Sequence, residues 1–540
     1  MMRSKLTRSI ALLLALVALV GLVACGGDSS GAASTPAGST GGTTSTPAAT
    51  GDGTSAKDTF KMGMSAEPTS MDPATAKDMV TWMFVMQSYD TLIKYDTATQ
   101  TFVPGLASEW KVNEDSSEVE FTLRDGVTFQ NGDPMTMDDV LFSLNRALTS
   151  EYTAQLTPSI DRFEAVDDTT LKMVLKYGYA PILEIMVTPC WGIMNKAYVE
   201  AAEAEGKDVG RIESCGTGAY IMKEWRSGEK LIFEAFDGYY GGAPAVKSVE
   251  AILIADQSAG AIALEDGTLD YYYGVQESDI EHLKSVPSLT VYTIELGADL
   301  YDITFNVTDG IFTDKRLRQA VAYALNRDEI LLGGHEGNGI VNNCICASGA
   351  FGYLPDYEYY EQDLEKAKAL VAEAGYPDGV DVVFKQDSSK YYMPSAEIVQ
   401  AQLKKVGINV TFEKLERSAW LDTVASNRDY EATLRSTTQV VLDADYILTR
   451  RLTAEMLGGG NNYSGYNNPE FEKLLVEARS SSDNAHREDI YRQCYDIIKE
   501  DVPLIPLCST YTQQVVNAKI QGWAQHPRYM NPWSEIYFVD

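Results

Sequence analysis

Cysteine and histidine are the residues of this chain best suited to bind metal ions or to act as nucleophiles and bases. The sequence has seven cysteines and four histidines. Cys344 and Cys346 are closer together than the usual two-residue spacing of zinc ligands, and no two histidines are spaced as a ligand pair. There is also no Gly-x-Ser-x-Gly elbow in the part of the chain expected to fold, no His-Glu-x-x-His motif and no convincing catalytic triad. The sequence therefore predicts no metal site, no cofactor and no enzymatic activity.

The N-terminal segment has the pattern of an export signal. A basic start, which includes Arg3 and Lys5, precedes an almost wholly apolar run over residues 10–20. That run is shorter than the ~20 residues of a membrane-spanning helix, and it is typical of a secretory signal. The following Leu-Val-Ala-Cys-Gly resembles a bacterial lipobox and predicts lipid attachment at Cys25. The alternative is an ordinary signal peptide with a chance cysteine.

A flexible tether is expected next. Residues 26–53 are almost entirely Gly, Ser, Thr, Ala and Pro, without an aromatic side chain. Such a segment cannot offset the entropy lost on ordering, so it behaves as a linker. We therefore assign residues 1–24 to a signal peptide and residues 25–56 to a linker, and we expect folding to start near Lys57.

Six further cysteines lie in the folded part, and in an exported protein they could oxidise. Cys190 with Cys215, and Cys494 with Cys508, are two pairings compatible with disulfides. Because connectivity is not defined by sequence, free cysteines remain the alternative.

Length and charge narrow the class of protein. The chain of 540 residues is long enough for two or three lobes, and 45% of its residues are hydrophobic, which is enough for large cores. Its formal net charge is −33, which argues against binding of nucleic acid.

Short strands alternate with amphipathic helices along the folded part. Residues 118–124 alternate polar and apolar side chains, as a half-buried strand does, and residues 131–134 indicate a turn. Thr136 or Asp138 is then the expected cap of a helix.

Later segments give clearer signals. One helix is expected to begin after Asp363 and to end at Gly375, and residues 468–469 are the expected start of another. Between them, the strands at residues 382–384 and 408–412 flank a helical pattern. This strand–helix–strand unit predicts a parallel α/β lobe.

Gly216 and Gly218 belong to a short glycine-rich loop. We expect both to adopt positive backbone φ angles, which glycine permits. The loop lacks the Lys-Ser/Thr and the spacing of a nucleotide-binding loop, so the sequence favours a structural role.

Several segments, taken together and in order, resemble the family 5 (peptide/nickel-type) extracellular solute-binding proteins. They extend across nearly the whole mature chain. These segments are residues 102–110, 121–132, 138–140, 216–220, 239–242, 267–270, 305–306, 318–321 and 501–506. Each is weak alone, but their preserved order is specific.

The resemblance implies an α/β fold, a two-lobed periplasmic-binding-protein-like clamshell of type II in its large three-domain form. The hinge is expected near residues 296–304 and 508–512. The implied domains are a lobe I core of residues 57–95, 207–298 and 509–540, an inserted small domain of lobe I at residues 96–206, and lobe II at residues 299–508.

The function that this resemblance implies is transport. The expected protein is a monomer, lipid-anchored on the extracytoplasmic face of the cell membrane. It would capture dipeptides or oligopeptides by hinge closure and deliver them to the permease and ATPase of an ABC importer, without any nucleic-acid partner. The alternatives are the same fold with another solute, such as a nickel chelate, an opine or an oligosaccharide, and a surface sensor or adhesin without transport.

In this family the loop after the first strand faces the ligand cleft. The resemblance therefore makes Ser70 and Met71 candidate ligand contacts, with a simple turn as the alternative. Tyr273 is a third candidate, because neighbouring tyrosines on a strand face opposite sides and a tyrosine offers both apolar area and a hydroxyl. Trp420 is a fourth, as a wall of the cleft, with core packing as the alternative.

Peptide-binding relatives have a Trp-x-x-Asp-Tyr pattern whose aspartate pairs with the α-ammonium of the ligand. Asp445 and Tyr446 match the end of that pattern, but Leu442 replaces the tryptophan. Asp445 is therefore the candidate anchor, and Asp443 the fallback. Arg435 is the candidate partner of a ligand carboxylate, as an arginine in this region is in some relatives.

Overall fold

The computed structural model describes residues 55–154, 156–388, 393–457 and 461–540. The predicted signal peptide, Cys25 and nearly all of the linker lie outside the described residues. Among the helices that are described, none is long and apolar enough to cross a membrane.

Strands and short helices alternate along the chain. The strands are β1 Thr59–Met64, β2 Ile93–Asp96, β3 Thr101–Pro104, β4 Ala107–Val112, β5 Glu118–Leu123, β6 Ile160–Ala165, β7 Thr170–Leu175, β8 Tyr220–Arg226, β9 Lys230–Ala235, β10 Ser248–Leu253, β11 Tyr271–Tyr273, β12 Leu289–Phe305, β13 Gly339–Val341, β14 Val380–Asp387, β15 Ile408–Leu415, β16 Ala432–Thr438, β17 Leu504–Asn517, β18 Ile520–Gln521 and β19 Tyr537–Phe538. The helices are α1 Met79–Ser88, α2 Met137–Leu148, α3 Ile182–Met186, α4 Lys196–Ala204, α5 Gln257–Glu265, α6 Glu277–Leu283, α7 Lys315–Ala324, α8 Arg327–His335, α9 Leu364–Glu373, α10 Met393–Lys404, α11 Arg417–Trp420, α12 Ala444–Leu452, α13 Pro469–Arg479 and α14 Asn484–Asp501.

One large mixed sheet joins the two lobes. Its strand order is β15-β14-β16-β12-β17-β11-β1-β10-β9-β8, with β13 on β17. The long strands β12 and β17 pair antiparallel, with an irregularity in register between Ile294 and Asp299. Strands β14 to β16 lie on the lobe II side of this pair, and β1 and β8 to β11 lie on the lobe I side. The segments expected to form the hinge lie within these two long strands.

Two large hydrophobic cores lie on either side of that strand pair. The first consists of residues between 60 and 271 and between 516 and 538, with Val441 and Tyr446 added from lobe II. The second consists of residues between 300 and 508. Each lobe therefore buries its own apolar side chains, which confirms the α/β two-lobed clamshell.

A separate four-stranded antiparallel sheet lies inside the range expected for the inserted domain. Its strand order is β4-β5-β7-β6, and α2 packs against it. The domain boundaries given above stay predictions.

Several local predictions are confirmed. Thr136 caps α2 and forms a capping box with Asp139. Asp363 caps α9, and Asn468 caps α13 with Pro469 in its first turn. Strands β14 and β15 pair in parallel and are joined by α10. Side-chain oxygens that satisfy free backbone N–H groups explain these helix starts.

The prediction that Gly216 and Gly218 adopt positive φ angles is wrong, although both positions do require glycine. Neither Gly216 nor Gly218 is among the residues with a positive φ angle. A Cβ atom at Gly216 would instead lie 2.1 Å from the backbone oxygen of Ser88, and one at Gly218 would lie 2.5 Å from its carbonyl carbon. Glycine is needed here because the end of α1 approaches this backbone closely.

The six cysteines of the described part are buried and unpaired. Neither Cys190–Cys215 nor Cys494–Cys508 forms a disulfide in the structure. Burial raises the pKa of the Cys190, Cys215 and Cys508 thiols to about 12, so these side chains behave as small apolar residues.

Candidate functional site

The segment from Val440 to Tyr446 belongs to lobe II, and two of its side chains pack into the core of lobe I. It follows β16 and runs into the first turn of α12, whose cap is Asp443. The side chains of Val441 and Tyr446 are buried in the core of lobe I. The candidate ligand contacts Asp445 and Tyr446, and the fallback Asp443, all lie in this interlobe segment. We therefore take the segment as the centre of the candidate site.

Asp443 is fixed by two partners from α14. Its carboxylate accepts hydrogen bonds from Arg487 Nη2 at 2.6 Å and from the Tyr491 hydroxyl at 2.8 Å. It also accepts the backbone N–H of Asp445, as a helix cap does. All of these groups are buried, so Asp443 holds the start of α12 in place.

Asp445 is paired with an arginine of α13. Its Oδ1 accepts a hydrogen bond from Arg479 Nε at 3.0 Å, and Arg479 Nη2 donates to the Thr449 hydroxyl. Burial raises the pKa of Asp445 although Arg479 acts against this change. An incoming ammonium would therefore have to share this carboxylate with Arg479.

The same arginine lies at a contact between the lobes. Its backbone oxygen accepts a hydrogen bond from the Ala180 N–H of lobe I at 2.6 Å. The hydroxyl of Ser480 donates to the Gly178 oxygen beside it. The ion pair between Asp445 and Arg479 thus supports the surface of lobe II that meets lobe I.

Lobe I presents two charged side chains to the interlobe segment, Arg528 and Glu184. Arg528 is 1% exposed and donates through Nη1 to the Val440 backbone oxygen. Glu184 lies in α3, and its Oε2 is buried without a partner among the described residues. Burial raises the pKa of Glu184 to about 7, while Arg528 and the Leu442 backbone N–H act in the opposite direction.

Arg435 lies in an aromatic cluster inside lobe II. It is 6% exposed, and its guanidinium carbon lies 4.1 Å from the centre of the Tyr463 ring. Its Nη1 donates to the Asn461 backbone oxygen at 3.3 Å, but its Nε has no partner in the described part of the chain. Burial, and then the nearby Arg451, lower the pKa of Arg435 to about 10. The nearby Asp302 carboxylate acts in the opposite direction, but it pairs with Arg451 and forms no direct ion pair with Arg435.

Trp420 forms one wall of this cluster. Its Nε1 donates to the Thr433 hydroxyl at 3.3 Å, and its ring meets the Tyr463 ring edge to face at 5.7 Å. It is 3% exposed. It lies where α11 continues into a π-helix over Leu421–Ser426, a feature frequent at functional sites.

Arg451 lies close to Arg435 but is already neutralised. Its Nη2 donates to both carboxylate oxygens of Asp302, at 2.8 and 2.9 Å, and to the Thr304 hydroxyl. Both charged groups of this pair are almost completely buried. In contrast to Arg451, Arg435 has an Nε without a partner among the described residues.

Tyr273 lies near the hinge rather than beside the interlobe segment. Its ring contacts that of Tyr529 edge to face at 5.0 Å, and the side chain is half-buried. Burial, and then Asp299 and Asp78, raise its pKa to about 12. Its neighbour Tyr272 points into a core on the other face of the strand, as the alternation of a strand requires.

Ser70 and Met71 lie in a turn built by internal contacts. The Ser70 hydroxyl accepts hydrogen bonds from the backbone N–H of Asp72 and from Thr75, while Met71 is fully buried in the core of lobe I. Arg146 pairs with Asp72 at 2.7 Å and holds the turn in place. The structure gives neither residue a free group that faces the interlobe segment.

Comparison with known proteins decides the family. The model described as bacterial extracellular solute-binding proteins, family 5 Middle, matches residues 101–455. This chain belongs to that family. The dipeptide-binding protein of Escherichia coli K12 is 25% identical to it over 465 residues, which cover 81% of this chain and 86% of that protein.

Solved structures agree with the family 5 assignment. HbpA2 from Haemophilus parasuis has a TM-score of 0.81 at 25% identity and covers 89% of this chain and 100% of its own. DppA from Helicobacter pylori, in complex with the peptide STSA, has a TM-score of 0.74 at 26% identity over 89% and 98% of the two chains. AgaA from A. tumefaciens R10, in complex with agropinic acid, has a TM-score of 0.73 at 25% identity over 89% and 99%.

In this family 5 protein, sequence reasoning missed Glu184, Arg479 and Arg528. Glu184 could have been found, because it is the only charged residue in the apolar run of residues 180–187. A charge in such a run is costly unless it has a partner or a function. Arg479 and Arg528 lack a comparable signal, because exposed arginines are common in helix ends and loops.

Proposed function

We propose that this protein is the extracytoplasmic solute-binding subunit of an ABC importer and that it captures peptides, from dipeptides to oligopeptides, between its lobes. The observation that carries the proposal is the buried guanidinium of Arg435, whose Nε has no partner among the described residues. A carboxylate or a peptide carbonyl would accept that hydrogen bond. The peptide-binding relatives support a peptide as the solute.

The proposed mechanism is closure of the lobes around the ligand. Contacts to both lobes at once are available only in the closed state, so a ligand that makes them stabilises this state. Trp420 and Tyr446 are the proposed aromatic contacts. Tyr273 and the turn of Ser70 and Met71 are proposed as secondary contacts that need a local rearrangement.

Attachment and partners complete the proposal. The lipid on Cys25 and the linker hold a monomer at the membrane, on the extracytoplasmic face. The closed form delivers its peptide to a permease and ATPase complex, without enzymatic activity and without nucleic acid. This arrangement rests on the lipobox pattern and on the family.

An opine is the second candidate solute. AgaA was solved with agropinic acid and resembles this chain as closely as the peptide-bound structure does in sequence identity. The similarity of this chain to AgaA supports a non-peptide acid as the alternative ligand. Nickel chelates and oligosaccharides, or a surface sensor without transport, remain less supported alternatives.

A thermal-shift screen of the purified protein tests the proposal. The ligands are di- to octapeptides, amino acids, opines, oligosaccharides and nickel–histidine. Peptides should raise the melting temperature, because a ligand at 100 times its Kd stabilises the native state by about 2.7 kcal/mol. A shift with an opine or a sugar alone would contradict the peptide assignment.

Two variants test the site itself. Arg435→Met should weaken peptide binding about 10- to 100-fold, because a hydrogen bond to a charged group is lost, while the exposed Arg226→Met serves as the matched control. Asp445→Ala should lower stability because Arg479 loses its buried counter-charge. Unchanged peptide affinity in Arg435→Met would remove this residue from the site.

A further inference from the structure

Three of the five N–H donors of Arg528, those on Nε and Nη2, have no partner among the described residues, although the side chain is buried between the lobes. Its Nη1 donates to the Val440 backbone oxygen of lobe II. Its Nε and Nη2 have no partner in the part of the chain that the structure describes. A buried donor without an acceptor is costly, so these two groups call for an explanation.

The geometry of the guanidinium indicates what would fit. Nε–H and Nη2–H lie on the same edge of the planar group, with the spacing of the two oxygens of one carboxylate. Arg479 uses this same edge to contact Asp445 and Thr449. In Arg528 the edge is free, so it has the form of a two-pronged carboxylate site.

Glu184 supplies the complementary acceptor. Its Oε2 is buried and has no partner among the described residues, and its charge is close enough to Arg528 to act on the pKa of the guanidinium. Burial nevertheless lowers the pKa of Arg528. The charge of Glu184 therefore stabilises the guanidinium less than a directly bound carboxylate would. Unpartnered donors of Arg528 and an unpartnered acceptor of Glu184 therefore both lie at the contact with the interlobe segment.

We propose that Arg528 and Glu184 form a subsite for the free C-terminal residue of the captured peptide. The carboxylate of that residue accepts hydrogen bonds from Nε and Nη2 of Arg528, and its backbone N–H donates to Glu184. This inference rests on the proposed peptide-binding function and specifies which end of the peptide lobe I recognises. A free amino acid offers the same two groups, as a carboxylate and an ammonium.

The subsite also links recognition to closure. Arg528 belongs to lobe I, whereas the Val440 oxygen that accepts from it belongs to lobe II. The contact orients the guanidinium when the lobes meet. The carboxylate is therefore bound best in the closed state, which is the state that the ligand must stabilise.

The test compares peptides with and without a free C-terminal acid. A random tripeptide library is prepared once as free acids and once as C-terminal amides, and a mixture of free amino acids is measured in parallel. Each is titrated against the full-length protein, with melting temperature and calorimetry as readouts. The amides should bind about 10- to 100-fold more weakly than the acids, since a charge-assisted pair is lost.

Variants then locate the discriminating group. Arg528→Met should bind acids and amides alike, and Arg528→Lys should discriminate less than the unmodified protein because lysine lacks the two-pronged edge. Arg435→Met should weaken the binding of acids and amides by the same factor and so keep the discrimination between them. Circular dichroism checks that each variant folds, and the comparison of acids with amides on the unmodified protein stays decisive if the Arg528 variants do not fold.

Four results would overturn the inference, and they differ in what else they overturn. Equal binding of acids and amides by the unmodified protein removes the subsite but leaves peptide capture. Discrimination that survives in Arg528→Met and disappears in Arg435→Met places the carboxylate at Arg435 instead. A lack of binding by both libraries overturns the proposed peptide function as well, and binding of free amino acids alone replaces the peptide by an amino acid.

Discussion

The buried charges around the interlobe segment divide into paired and unpaired groups. Its aspartates Asp443 and Asp445 each pair with an arginine, and so does Asp302 in lobe II. Arg435 and Arg528, in contrast, form no ion pair with a described residue and keep free donor groups. Because unpaired buried charges are costly, these arginines are suited to a ligand with oxygen acceptors.

At the same residue scale, Glu184 predicts a dependence of stability on pH. Its pKa is raised by burial from 4.5 to about 7, although Arg528 opposes the change; Asp443 supports it. The folded protein therefore binds this proton more tightly than the unfolded chain does. The stability that Glu184 contributes is complete below about pH 4.5 and is lost as the pH rises through about 7.

Glu184→Gln should remove this loss. Relative to the unmodified protein, the free energy of unfolding of the variant should rise by about 1–3 kcal/mol between about pH 4.5 and about pH 8. Urea unfolding at several pH values measures the difference. The control Glu200→Gln, on the exposed side of α4, should show no such trend. A parallel pH profile for Glu184→Gln and the unmodified protein would show that Glu184 is not perturbed.

At the scale of elements, helix caps and strand ends position the site. The interlobe segment leaves β16 and enters α12 at Asp443, and the contacts of Asp443 with α14 fix the direction of this entry. Arg479 reaches Asp445 from the last turn of α13. Helices α12, α13 and α14 of lobe II thus all hold the interlobe segment of residues 440–446. These contacts explain how its side chains keep fixed positions although part of the segment is a loop.

The end of α1 gives a prediction at this scale. Gly216→Ala should destabilise the protein by about 2–3 kcal/mol, because the added Cβ would lie 2.1 Å from the Ser88 oxygen and the backbone must move. Thermal and urea unfolding measure the effect. Gly228→Ala is the matched control, since its Cβ meets nothing within 4 Å and only its φ of 76° is strained, at a cost of about 1 kcal/mol. Equal losses in both variants would refute the close-approach explanation.

At the scale of the whole molecule, two separate cores joined by two long strands are a suitable basis for a hinge. Each lobe can keep most of its own buried side chains while β12 and β17 bend, and Val441 and Tyr446 of lobe II are the ones that must leave the core of lobe I. The interlobe contacts at Ala180, Val440 and Arg528 then act as the closing surface. These few hydrogen bonds are weak enough to form and break with the ligand.

Closure predicts a change of size in solution. Small-angle X-ray scattering of the full-length protein should give a smaller radius of gyration with a bound peptide than without one, because the ligand stabilises contacts between the lobes. A peptide that does not shift the melting temperature is the control. An unchanged radius in the presence of a saturating, stabilising peptide would exclude closure as the response to the ligand.

The sequence by itself determined the features that depend on neighbouring residues. The caps at Thr136, Asp363 and Asn468 follow from side chains that satisfy backbone groups a few residues away. The parallel unit of β14, α10 and β15 follows from hydrophobic periodicity. The ordered family segments predicted the two-lobed fold, and the family model and the solved relatives confirm it.

Only the tertiary structure decided which charges are paired. Arg479 reaches Asp445 across 34 positions of sequence, and Arg528 reaches Val440 across 88. Gly216 likewise owes its requirement for glycine to the distant Ser88 and not to its own φ angle. Local sequence periodicity does not predict such contacts, because they form when elements far apart in sequence pack together. The tertiary structure therefore determines which arginines form ion pairs and which keep unpartnered donor groups.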